Sequence, residues 1–291
     1  MPNQADSTAV LPVDPRVVDV VVHRVRADAR ARCDDLLAVE EPLEIQIEHG
    51  PRARRARRSV SVTMRTPGAD VELAVGFLFA EGLIQRAEDV VHAAACGPPA
   101  GPLGIRNLVR VELAPGVRID EKKIERNFLS NSSCGLCGKA SLDALPRPSC
   151  LPPGDDFMLA TATVHALPDV LRQTQDVFGR TGGLHAAALF DVEGHLLDVH
   201  EDIGRHNAVD KLVGAQVLAH ATPLSKHLLL VSGRAGYELV QKALVAGIPI
   251  LAAVGAPSSV AVDLARAGNM TLLGFVRDGR FNIYSGVQRI V

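Results

Sequence analysis

Leu228-Leu-Leu-Val231, Tyr237-Glu-Leu-Val-Gln-Lys-Ala-Leu-Val245, Ile248-Pro-Ile-Leu-Ala-Ala-Val254, Ser259-Val-Ala-Val-Asp-Leu-Ala-Arg-Ala267 and Met270-Thr-Leu-Leu-Gly-Phe275 alternate short apolar runs with longer amphipathic ones. The apolar runs have strand length, the segments between them have helical period, and Gly, Pro or Ser marks the junctions. Strands that are each followed by a helix predict a mostly parallel sheet with helices on both faces. Toward the C-terminus, Asp278-Gly279 turns the chain back into a strand at Phe281 to Tyr284. Toward the N-terminus come a helix at Ala208 to Ala219, strands at His195 to His200 and Leu184 to Phe190 around the turn Asp191-Val-Glu-Gly194, and a helix near Asp169 to Phe178. Residues 157–291 are expected to form this α/β unit.

The first half has a different texture. Leu43 to His49 and Ser59 to Met64 alternate apolar and polar residues, as half-buried strands do. Arg52 to Arg58 holds five arginines in seven residues, read as a solvated hairpin tip with docking to an acidic partner as the lesser alternative. Asp70 is expected to cap a helix over Val71 to Phe79 that ends near Gly82. A Gly/Pro-rich loop at Cys96 to Gly104 precedes a strand at Leu108 to Leu113, and Glu121 to Phe128 has the pattern of a short helix. The domain reading is a flexible arm over 1–37, a small α+β domain over 38–128, a CxxC loop and linker over 129–156, and the α/β domain over 157–291; α+β describes the whole.

Composition excludes several function classes. The chain has 291 residues with 47% apolar and 22% charged residues, a globular balance rather than a disordered one. A formal net charge of −2 gives no basic field for nucleic acid or an anionic membrane, and 3% aromatics argue against a base-stacking platform. Five cysteines do not make a disulfide framework. The N-terminus lacks the basic-then-apolar pattern of a secretory signal. From Ala243 to Val262, 20 residues pass without a charge, but Pro249, Gly255 and Pro257 break them into a buried strand and a helix start. A cytoplasmic protein with no membrane or nucleic-acid partner is expected.

Chemistry concentrates in two places. Cys134-Gly-Leu-Cys137 lies among Gly, Ser and Asn, a loop composition that can present both sulfurs. A zinc half-site, a redox pair, a nucleophilic or sulfur-carrying thiol whose pKa Lys139 lowers, and a packing role all remain open on these residues alone. The second place is the set of turns that follow strands: Glu201-Asp-Ile-Gly-Arg-His-Asn207, Ser232-Gly-Arg-Ala-Gly236 and Gly255-Ala-Pro-Ser-Ser259. In an α/β sheet such turns gather at the carboxyl edge, where glycine amides and helix N-termini suit phosphate. Arg205 and Arg234 add charged donors. His206 lies inside the first of these turns, and His185 follows Thr181-Gly-Gly183 at a strand start; each has a structural reading beside the functional one. Cys33 is read as incidental.

With those residues in view, the chain resembles the FdhD/NarQ family of formate dehydrogenase accessory sulfurtransferases. The resemblance rests on Glu40 to Leu43, Val71 to Leu78 with Glu81 to Ile84, Ser132 to Gly138, Thr181 to Ala187, Glu201 to Lys211, Ser232 to Glu238 and Gly274 to Arg280, in that order. It implies a sulfur carrier that takes sulfur from a cysteine desulfurase as a persulfide on Cys134, with Cys137 as assistant or alternate carrier. It implies delivery to the bis-(molybdopterin guanine dinucleotide) form of the molybdenum or tungsten cofactor, a bound substrate, before insertion into the formate dehydrogenase catalytic subunit. The cofactor stretch maps onto Gly274, Phe275, Val276, Arg277, Asp278, Gly279 and Arg280. His185, Arg205, His206, Ser232, Gly233 and Arg234 join them as binding candidates from the turns. The family further implies a cytidine-deaminase-like three-layer α/β domain and a homodimer; no permanently bound metal is expected. A cofactor chaperone without sulfur transfer is one alternative. A zinc-dependent deaminase-like hydrolase is the other, and it needs H-x-E and P-C-x-x-C, whereas Ala187 follows His185 and Ser133 precedes Cys134.

Overall fold

The computed structural model describes residues 14–101, 103–120 and 157–291. The CxxC loop, the expected helix at 121–128 and the linker lie outside them. The N-terminal lobe contains strands β1 (Val17–Arg26), β2 (Ala29–Ala38), β3 (Glu41–His49) and β4 (Ala56–Arg65), helix α1 (Asp70–Ala80), and strands β5 (Val90–Ala100) and β6 (Ile105–Leu113). The C-terminal lobe runs α2 (Thr161–Thr174), α3 (Asp176–Thr181), β7 (His185–Phe190), β8 (Leu196–Asp202), α4 (Arg205–Leu218), β9 (Leu228–Val231), α5 (Tyr237–Val245), β10 (Ile250–Ala253), α6 (Ser259–Ala267), β11 (Thr271–Arg277) and β12 (Arg280–Ser285).

The large sheet has the order β12-β11-β10-β9-β7-β8. Only its centre is parallel: β9, β10 and β11 run together, while β12 opposes β11 and β7 opposes both β8 and β9. The expectation of a mostly parallel sheet is corrected by the chain path. The tight turn after β7 makes a hairpin, and α4 then carries the chain back across β7, so β9 is parallel to β8 and antiparallel to β7. Helices cover both faces as expected. Val164, Leu167 and Leu171 of α2 pack on one face, against Ala186, Ala188, Leu230 and Ala252. The other face, with Ala187, Leu189, Val231 and Leu251, receives α4, α5 and α6.

The small sheet, order β4-β3-β6-β5, does not close a core of its own. Its inward residues Leu43, Ile45, Ile47, Val60, Val109 and Val111 belong to the same buried cluster as α1, α4 and the large sheet. A helical layer is thus held between two sheets, and α1 crosses α4 at its centre. Two glycines set that crossing. A Cβ on Gly76 would lie 1.9 Å from the Asp210 carbonyl oxygen, and one on Gly214 would lie 1.8 Å from that of Glu72. Backbones approach this closely only where neither residue has a side chain.

Four local readings differ from the structure. Residues 17–38 pair as an antiparallel ribbon, Val17 opposite Ala38 through Arg26 opposite Ala29, where a loose arm was expected. Most of the ribbon is exposed, so neither face needed an apolar period; only its root, Val17 and Ala38, packs against Val177 and Leu184. The Gly/Pro loop expected from Cys96 is instead the end of β5, which stays paired until Ala100 opposite Ile105. Asp70 does not cap α1: Ala69 does, in the left-handed region at φ 53°. The Asp70 carboxylate accepts from buried Arg65, Nε at 2.9 Å and Nη2 at 2.8 Å. Within the arginine run, Arg55 is structural, donating to the carbonyls of Gly50, Glu48 and Leu113 at 2.8, 2.7 and 2.7 Å.

The crossing yields a direct test. Gly214→Ala is expected to lower the unfolding free energy by about 3 kcal/mol, the upper end of the usual range for core overpacking. Gly236→Ala, whose added Cβ meets nothing within 4 Å, is expected to cost about 1 kcal/mol or less, the preference for Gly over Ala at a helix N-cap. Urea denaturation of both variants checks the contrast.

Candidate functional site

β9, β10 and β11 point their carboxyl ends the same way. Because β7 is antiparallel to β9, its first residue, His185, opens at that same edge. β8 ends there too, with Asp202 opposite His185. The edge therefore collects the start of β7, the β8–α4 turn, the β9–α5 turn, the β10–α6 turn and the end of β11. Backbone hydrogen bonds stitch the turns together. The Ser232 N–H donates to the Ala186 carbonyl at 3.0 Å, Gly255 N–H to Gly233 at 3.0 Å, Ser258 N–H to Ala235 at 3.1 Å, and Phe275 N–H to Gly255 at 3.1 Å. Ser232 Oγ accepts from the Ala186 N–H at 2.9 Å.

Gly233 is the centre of this edge. The position of a Cβ there lies 3.2 Å from His185 Nδ1 and 3.9 Å from Arg205 Cδ. Arg205 Nε is buried and has no hydrogen-bond partner among the described residues. A guanidinium nitrogen left without an acceptor beside a glycine backbone is an arrangement that an anionic group satisfies. Burial, then the positive charges of Arg205 and His206, hold the His185 imidazole below its ordinary 6.5. His206 Nε2 lies 2.9 Å from Glu238 Oε2 at the start of α5. One turn deeper, Lys242 Nζ donates to Asp210 Oδ1 at 2.6 Å, and burial pushes Asp210 up to about 6 against the pull of that lysine.

The structure brings His185, Arg205, His206, Ser232 and Gly233 together, with Arg234 exposed on the same turn. The Gly274–Arg280 stretch divides. Gly274 is packed between Pro257 and Tyr284, where a Cβ would lie 2.8 and 2.9 Å from their nearest atoms, and Val276 is part of the core. Phe275 holds a positive φ of 56° that turns its N–H onto Gly255. Arg277, Asp278, Gly279 and Arg280 are exposed at the β11–β12 turn, with the Arg277 guanidinium 5.8 Å from the Phe275 ring centre. Cys134 and Cys137 lie outside the described residues. Sequence reasoning singled out neither Glu238 nor Asp202, although His206/Asp210 on α4 and Glu238/Lys242 on α5 share an i, i+4 spacing with complementary charge.

Fold and edge define a two-lobed α/β protein whose sheet edge gathers glycine amides, a guanidinium and two imidazoles. The sequence pattern of the FdhD/NarQ family matches residues 38–291. The chain is 50% identical over 274 residues to a curated sulfur carrier protein FdhD of Mycobacterium tuberculosis, covering 92% of this chain and 96% of that one. It is 50% identical over 272 residues to the sulfur carrier protein FdhD of Streptomyces coelicolor, covering 92% and 94%. Its fold matches a crystal structure from Desulfotalea psychrophila, described as a formate dehydrogenase accessory protein, with a TM-score of 0.72 at 24% identity over 95% of this chain and all of that one. The chain belongs to the FdhD/NarQ family. No helix among the described residues is long and apolar enough to cross a membrane.

The depressed His185 value fixes a sign. With the folded-state pKa below the unfolded one, the unfolded chain takes up its proton first. The His185 contribution to stability is therefore complete above about pH 6.5 and is lost as pH falls below it. NMR titration is expected to place His185 below 6.5 in the native chain. Arg205→Ala should move it up but leave the part due to burial.

Proposed function

We propose that this protein is a sulfur carrier in the maturation of formate dehydrogenase, acting as a sulfurtransferase through Cys134. The observation that supports it most directly is half-identity over nearly the full length to curated relatives named sulfur carrier protein FdhD. The CxxC sequence supplies the reactive group, and the sheet edge supplies a receptor for a phosphate-bearing ligand.

In loading, the Cys134 thiolate attacks the outer sulfur of a cysteine desulfurase persulfide. The donor S–S bond breaks, the donor thiolate leaves, and Cys134 carries the sulfur as its own persulfide with no net redox change. In delivery, the Cys137 thiolate attacks Cys134 Sγ and hydrosulfide leaves. A Cys134–Cys137 disulfide remains, so the dithiol itself supplies the two electrons. The hydrosulfide is the sulfur that the molybdenum or tungsten of the bis-(molybdopterin guanine dinucleotide) substrate receives. Arg205, the amides of Gly233 and Gly236, and the exposed Arg277 and Arg280 would take its phosphates. The cytoplasm, a homodimer and the formate dehydrogenase catalytic subunit as recipient complete the reading.

A zinc hydrolase is disfavoured by the sequence, which has Ala187 where H-x-E needs Glu and Ser133 where P-C-x-x-C needs Pro. Among the described residues a cluster able to hold a cation is formed by Asp191, Glu193 and His195, at the far end of β7 from His185.

Intact-mass analysis after incubation with a cysteine desulfurase and cysteine tests the proposal. A reducible gain of one sulfur is expected in the native chain and in Cys137→Ala, and its loss in Cys134→Ala. Labelling that survives both changes contradicts a carrier at this motif. A Cys134→Ala chain that still activates formate dehydrogenase would leave a cofactor chaperone instead.

A further inference from the structure

The segment Glu201–Lys211 carries a second set of polar residues interleaved with Arg205 and His206, and that set engages the other lobe. Asp202 is completely buried. Its Oδ2 accepts from the Thr66 N–H at 3.2 Å and from Lys211 Nζ at 2.7 Å; its Oδ1 accepts from the Gly204 N–H at 2.8 Å and from Asn207 Nδ2 at 3.0 Å. Asn207 Nδ2 also donates to the Met64 carbonyl at 2.7 Å, and Lys211 Nζ to the Thr66 carbonyl at 2.8 Å. Three of these six contacts, Thr66 to Asp202, Asn207 to Met64 and Lys211 to Thr66, fasten the end of β4 in the small lobe to the β8–α4 turn, and the other three brace the turn itself.

That fastening bears on the cradle. Gly204 is the N-cap of α4 and makes no side-chain cap, so Asp202 holds the turn in its place. The space over Gly204 is closed by Asn207: a Cβ there would lie 2.9 Å from its Nδ2. Arg205 is the next residue, the first of α4, and inherits its direction from this turn. A buried ion pair contributes little net stability over an apolar pair of the same shape, but it fixes geometry because each oxygen accepts only from directed donors. The small lobe's contribution to the site is accordingly one of aim.

We propose that Asp202, Asn207 and Lys211 are positioning residues, which hold Arg205 toward Gly233 by clamping the β8–α4 turn to the end of β4. This rests on the reading of the sheet edge as a phosphate receptor. A double-mutant cycle on the full chain tests it, with guanosine diphosphate as the probe and isothermal titration as the readout, each variant first shown native by near-ultraviolet circular dichroism. Arg205→Ala and Asn207→Ala should each weaken binding about tenfold, and the double variant should bind within about twofold of Arg205→Ala alone, because Asn207 acts through that arginine. Losses that multiply in the double variant, or Asn207→Ala binding like the native chain while Arg205→Ala does not, overturn the assignment. If Asn207→Ala does not fold, Asn207→Ser enters the cycle with the same expectation. No binding by the native chain overturns the reading of the edge and this assignment with it.

Discussion

The crossing of α1 and α4 at Gly76 and Gly214 is the constraint on which the other contacts depend. With both residues lacking a side chain, the two backbones meet directly, and each helix brings its own sheet to the shared core. Had either residue a Cβ, the helices would part and the small lobe would swing away from the β8–α4 turn. The polar clamp of Asp202, Asn207 and Lys211 then works over distances near 3 Å, too short to tolerate such a shift. Packing sets the spacing, and hydrogen bonds set the register within it.

α4 distributes its side chains by helical phase. Asn207 and Lys211, four residues apart, meet the small lobe; His206 and Asp210, also four apart, meet Glu238 and Lys242 of α5. Arg205 remains at the N-terminus, free of both sets and beside His185 and Gly233. One helix start therefore joins three structural elements while leaving Arg205 without an ion pair among the described residues. The positive charge of Arg205 that helps to depress His185 would favour an anion in that space.

Much of this was legible in the residues. The alternation from Leu228 to Phe275 marks strand and helix positions because those strands are buried on both faces and the helices have one apolar stripe. The turns at Ser232 and Gly255 stand out because helix starts at a sheet edge need Gly and Ser. What escaped has physical causes too. The direction of β9 relative to β7 depends on the long α4 return, which no local pattern encodes, so the antiparallel β7–β9 pairing is not visible in the alternation. The ribbon of β1 and β2 is exposed on both sides and so lacks the apolar alternation that betrays a strand. Asp70 has the composition of a cap, yet buried Arg65 claims its carboxylate. The clamp joins residues 136 to 145 positions apart, and such pairing is invisible in spacing.

The receptor proposed for the phosphate-bearing cargo is one sheet edge assembled from five separated segments. Hydrogen–deuterium exchange of the full chain with and without guanosine diphosphate measures this segment by segment. Slowed exchange is expected together in residues 184–186, 204–207, 232–236, 255–256 and 274–280, with the ribbon of β1 and β2 unchanged. Protection confined to the Arg52–Arg58 tip, or to the metal-capable turn after β7, would contradict it.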